Sequence, residues 1–244
     1  MKASELEQGN NLGILLIGDP GSGKSSFIST LPKPLLVANF DGKAGASTYA
    51  RSKDADQIEI MMFEDISKNS ECVLDFEDYL DKLLAMKELP FKSVALDSLT
   101  TYGEAEMRRA MFENGGKGGA RIGNIVPNQT DYLLQMARIR FVLTKLLSLP
   151  CNVAVAAHEA IIEDKNGGLI GVVAHVSGKK TMAKNLPSMF GEAYHTEQVF
   201  DRATNKTTWQ IRCRGKEELS WCFSKVGLPE LIQPDWAEIE RFLG

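Results

Sequence analysis

The chain predicts an α/β fold: a mostly parallel central sheet, helices on both faces, and a β-hairpin towards the C-terminus. Three observations predict it. A Gly-Asp-Pro-Gly-Ser-Gly-Lys-Ser run at 18–25 lies between an apolar stretch at 13–17 and a helix-compatible Ser-Ser-Phe-Ile at 25–28. Short apolar runs then alternate with helical periodicity along the chain, as expected for parallel strands joined by crossover helices. Finally, two β-rich stretches, 194–200 and 207–213, flank the turn-forming residues 201–206 and read as a hairpin.

The elements follow in order. Residues 13–17 form a buried strand, the helix opened at 25 comes next, and 34–39 and 57–62 are further strands. Residues 72–86 are helical, with Val73, Phe76, Leu80, Leu83 and Leu84 on one side. A strand at 91–96 ends at Asp97, and 100–112 is a helix. Residues 114–128 are rich in glycine and read as a loop, 130–147 as a long amphipathic helix and 151–157 as a strand. A second long loop covers 162–177, and a short closing helix at 235–242 follows Pro234, with Asp235 placed to cap it. With no repeat, low-complexity tract or linker, one domain over 1–244 is the expected organisation.

Composition narrows the class. The charge of −4 excludes a uniformly basic nucleic-acid coat but allows a local basic stripe. Cys72, Cys151, Cys213 and Cys222 are widely spaced, which predicts reduced core thiols and a cytoplasmic setting rather than a disulfide or zinc framework. The N-terminal residues do not read as a signal peptide, no apolar run approaches a membrane span, and no membrane partner is expected.

The 18–25 run matches G-x-x-x-x-G-K-[ST], the loop that cradles phosphates. Its glycines let successive N–H groups turn inward on an anion, and a following helix N-terminus adds a favourable field. Gly18, Asp19, Pro20, Gly21, Ser22, Gly23, Lys24, Ser25 and Ser26 are therefore the candidate nucleotide-binding residues. Lys24 is expected to be solvated in the free protein and to reach the β- and γ-phosphates of ATP, with Ser25 on Mg²⁺. The ion needs a second carboxylate, and Asp97, ending an apolar strand, suits it. A water-orienting group is also required for hydrolysis. Asp41 lies at the end of the neighbouring strand, where such sheets place ligands, although Asp41-Gly42 also reads as a simple turn. His158 and Glu159 end another strand and form a candidate γ-phosphate sensor.

This order of parts resembles the RecA recombinase superfamily, and most closely its core-only phage ATPases, the Sak-type single-strand annealing proteins. The residues that carry the likeness are 18–25, Asp41-Gly42, the Asp97-Ser98-Leu99-Thr100 run, Ala157-His158-Glu159 and the Leu-Pro-Lys-Pro at 31–34. The resemblance implies a RecA-like P-loop ATPase using ATP and Mg²⁺, with Lys24, Asp41, Asp97, His158 and Glu159 catalytic. It also implies Tyr49, in Tyr-Ala-Arg at 49–51, near the adenine, and DNA-binding loops at 114–128 and 162–184. Asp41 stands where that family usually has the longer glutamate. The implied partners are single-stranded DNA, further copies of the chain in a filament or ring, and a single-strand binding protein, in the cytoplasm of a phage host. Residues 165–191 contain no carboxylate and carry Lys165, Lys179, Lys180 and Lys184, while Lys117 and Arg121 lie in the other loop. These six are the candidate DNA contacts, of the backbone-tracking kind, because neither loop offers an aromatic ladder. Other readings of the same core are a helicase or packaging motor, or a nucleotide-switched module for a protein partner.

Overall fold

The computed structural model describes residues 11–115, 127–163, 169–176, 180–202 and 205–243. Strands β1 (Gly13–Gly18), β2 (Leu35–Asn39), β3 (Ile58–Met62), β4 (Ser93–Asp97), β5 (Asn152–Glu163) and β7 (Glu192–Asp201) pair in parallel in the order β3-β2-β4-β5-β1-β7. Beyond β7 the sheet turns antiparallel through β8 (Lys206–Arg212) and β10 (Leu231–Ile232), and the short β9 (Phe223–Ser224) also pairs with β7. β6 (Leu169–Ala174) folds back antiparallel on the far end of β5.

The central strands are apolar on both faces because both faces are covered. Leu15, Ile17, Leu36, Leu96 and Val155 pack against α3 (Cys72–Leu84), α4 (Leu99–Gly115) and α5 (Gln129–Leu147). The alternate residues Ile14, Leu16, Leu35 and Val37 pack on the opposite face against α1 (Lys24–Ile28), Tyr49 of α2 (Gly42–Ala50), and α7 (Trp236–Glu240). α5 starts at a capping box, Asn128 accepting from Thr130 N and Asp131 N while Asp131 accepts from Asn128 N. Asp235 caps α7, accepting from Ala237 N at 2.9 Å, as its position predicts. No helix among the described residues is long and apolar enough to cross a membrane. All four cysteines are buried and free, and burial pushes each thiol up to about 12, which suits inert core residues.

Two expectations need correction. Of the segment read as a loop at 162–177, most of the described residues are strand: β5 runs six residues past Ala157, and β6 returns along it with Glu159 opposite Ala174. The β-branched Ile161, Ile162, Val172 and Val173 supply that propensity, and Ile162 and Val173 bury against Ala183 of α6 (Lys180–Asn185). The Asp41-Gly42 turn is in turn the start of a helix, α2, with Asp41 at its N-cap position.

Candidate nucleotide site

Strand register assembles the site. Gly18 stands beside His158, Asn39 beside Asp97, and Ile17 beside His195, so the carboxyl ends of five strands share one rim. Open α/β sheets place their ligands at that rim. Leaving β1, the chain turns tightly, Ser22 N donating to Asp19 O at 3.1 Å, before α1 begins. Gly21 and Gly23 hold φ of 80° and 97°, a region that side-chain-bearing residues rarely adopt. Asp19, Pro20, Gly21 and Ser26 are exposed along this loop.

Lys24 corrects the expectation of a solvated lysine. It is only 6% exposed, and its Nζ donates to Gly18 O at 2.7 Å and Asp19 O at 2.8 Å. Burial lowers its pKa, and the charges of Asp97, Asp41, Glu159 and Asp19 partly restore it. A buried ammonium aimed at main-chain carbonyls of a phosphate-type loop fits a polyphosphate, which would supply compensating charge.

Asp97 is buried, and one oxygen, Oδ2, accepts from Ser25 Oγ at 2.7 Å and from Tyr49 OH at 2.6 Å. Burial raises its pKa, those two hydrogen bonds hold it down, and the nearby Asp41 adds to the rise. Hydroxyl and carboxylate thus meet at one point. This donor set fits Mg²⁺, with Ser25 and Asp97 as the holding residues, and the ion would neutralise charge on the terminal phosphates. Tyr49 is the second correction. It is fully buried with its phenol committed to Asp97, so it is placed to position that carboxylate from below and not to meet a base.

Asp41 follows Phe40, which is anchored among Phe63, Phe76 and Tyr102 with ring centroids 5.2–5.3 Å away. Its Oδ1 accepts from Ser98 Oγ at 2.8 Å and from Thr101 Oγ1. Asp41 is therefore an oriented carboxylate at the same rim as Asp97. His158 is half-buried with its Nδ1 out of reach of any partner among the described residues. Burial, then the charge of Lys24, lowers its pKa and favours neutral imidazole. Glu159 does not stand alone: His195 Nε2 donates to its Oε2 at 2.7 Å.

Three residues of the site escaped the sequence reading. His195 and Thr196 lie on β7, and Trp209 on β8. Thr196 Oγ1 and Ser22 Oγ are hydrogen-bonded at 2.7 Å, and Trp209 Nε1 donates to Gly21 O at 2.9 Å. A cavity of about 240 Å³ opens between the loop and β7, with Ser22, Glu159, His195 and Gln198 in its walls. The hairpin pattern made β7 visible, but no local signal shows that it pairs with β1.

Of the basic residues, Lys117, Arg121, Lys165 and Lys179 lie outside the described residues. Lys180 opens α6, and Lys184 is exposed in its last turn.

The chain matches no curated protein. Residues 10–212 match a family described as AAA domain, a span that starts just before β1 and ends with β8. With the phosphate loop, its buried lysine and the strand-end carboxylate all inside that span, the chain belongs to the AAA domain family and carries a nucleotide-binding P-loop NTPase fold.

Proposed function

We propose that the protein is an ATPase that binds single-stranded DNA and promotes strand annealing or exchange, in the manner of the RecA-like phage proteins its sequence resembles. Lys24 neutralises the phosphates, Ser25 and Asp97 hold Mg²⁺, and Asp41 orients the attacking water. The hydroxyls of Ser98 and Thr101 hold Asp41 in one orientation.

One observation carries the coupling to DNA: β5 is continuous from the P-loop neighbour Ala157, through His158 and Glu159, into the β5–β6 hairpin. The return strand ends at Ala174, and the N of the next residue, His175, donates to His158 O at 2.6 Å. Thr100 Oγ1 donates to His175 O at 2.8 Å and accepts from His158 N at 2.9 Å. Lys180 and Lys184, on α6, follow β6 closely in the chain, which supports a link between these lysines and the end of the site where the terminal phosphate would lie. A homo-oligomer and a single-strand binding protein as partners belong to the same proposal.

The test is ATP turnover with and without single-stranded DNA, together with replacement of Lys179, Lys180 and Lys184 by Gln. The triple variant is expected to keep ATP binding and to lose DNA affinity and DNA-stimulated turnover. Its salt slope should fall by roughly 0.7 per phosphate contact removed. Unchanged affinity and slope would sink the DNA assignment and favour a protein partner, whereas directional duplex unwinding would favour a motor.

A further inference from the structure

Trp209 is set against the phosphate loop in an unusual way. Its Nε1 donates to Gly21 O at 2.9 Å, and a methyl group added at Gly23 would lie 3.3 Å from its Cδ1. Yet 42% of the residue is exposed. The other two indoles have other duties: Trp221 Nε1 donates to Val172 O at 2.6 Å, and Trp236 is buried at 6% exposure.

The hairpin register extends the feature. Gln198 stands opposite Trp209 and Phe200 opposite Thr207, so these four side chains share one face of β7–β8. Trp209 on the loop, and Gln198 in the wall of the cavity beside it, show that this face overlooks the P-loop. Phe200, diagonal to Trp209, is 55% exposed. An exposed indole and an exposed phenyl side by side carry a cost in water that a planar apolar partner relieves.

Position names the partner. Ser25, Asp97 and Asp41 mark the terminal-phosphate end of the site, on the β4 and β2 side of β1. β7 and β8 lie on the other side of β1. A triphosphate along the loop with its terminal group at Asp97 therefore directs its nucleoside towards β7–β8.

We propose that Trp209, with Phe200 beside it, is the platform on which the base of a purine nucleoside triphosphate stacks, Gln198 meeting its edge. This rests on the nucleotide-binding reading of the P-loop and deepens it.

The test compares binding of ATP and of inorganic tripolyphosphate, each with Mg²⁺, by the wild type, Trp209→Ala, Trp209→Phe and Lys24→Ala. Tripolyphosphate has the phosphates without the base. Trp209→Ala should weaken ATP binding about tenfold and tripolyphosphate binding far less, and Trp209→Phe should recover most of the ATP loss because the ring face returns. The wild type should also bind ATP and GTP more tightly than CTP and UTP. Equal weakening of both ligands would overturn the proposal by making the indole a brace for the loop. Unchanged ATP binding would overturn it too, and if affinity for an oligodeoxynucleotide fell instead, the aromatic face would belong to DNA. Lys24→Ala should lose both ligands; its failure to do so would strike the P-loop reading itself, separately from the platform.

Discussion

Asp97 shows how a site residue is held at a cost. The carboxylate is buried, and burial raises its pKa. Between its unfolded value near 3.8 and the raised folded value, the folded chain binds the extra proton, so its contribution to stability is lost as pH rises through that window. Asp97→Asn removes the ionisation while keeping an oxygen for Ser25 and Tyr49. Relative to the wild type, the variant is expected to gain stability as pH rises above about 4, less whatever Lys24 loses with its counter-charge. Its Mg²⁺-dependent turnover should fall about 10- to 100-fold, because a residue that orients the ion's shell is gone. Urea titrations at several pH values, with turnover assays beside them, check both halves. A variant less stable at neutral pH, with normal turnover, would reduce Asp97 to a structural acceptor. The motif made Lys24 and Ser25 legible in the sequence, and Asp97 was read from its place at the end of an apolar strand. Tyr49 was misplaced because helix α2 turns it under the sheet rim, which the Tyr-Ala-Arg string does not reveal.

At the level of elements, the P-loop depends on a strand far away in sequence. Gly18 ends β1 where β7 passes: a methyl group there would overlap Thr196 O and Oγ1, and lie 2.7 Å from Ser22 Oγ. The Ser22–Thr196 hydrogen bond and the Trp209–Gly21 hydrogen bond tie the same loop to β7 and β8. Gly18→Ala is therefore expected to push β7 from β1, destabilise the protein by about 1–3 kcal/mol and loosen the loop. Chemical denaturation and nucleotide titration of that variant measure the two effects. Native stability and affinity would mean that the β1–β7 junction yields freely. Strand and helix periodicity identified most of the elements, within a few residues at their ends. The β5–β6 hairpin was missed because its strand runs on past the sheet core, where a polar His158-Glu159 pair interrupts the apolar pattern.

For the whole molecule, the rim gathers β1, β2, β4, β5 and β7, so a ligand bound there bridges most of the parallel sheet. ATP with Mg²⁺ should stabilise the protein by about 2.7 kcal/mol at a hundredfold excess over Kd, by mass action alone. The thermal midpoint should rise accordingly. Lys24→Ala should abolish the rise, because the ammonium that meets the phosphates is gone. A midpoint indifferent to ATP in the wild type would contradict nucleotide binding at this rim.

By itself the sequence determined the phosphate loop, most of the larger strands and helices in their order, and the strand-end carboxylate. These are local properties, carried by side-chain type, glycine conformation and apolar period. Tertiary structure alone decided what surrounds the loop: the parallel pairing of β7 with β1, the His195–Glu159 and Ser22–Thr196 contacts, and the approach of Trp209. The physical reason is sequence distance. Ser22 and Thr196 are separated by 174 positions, and only the packing of both sheet faces brings them within a hydrogen bond.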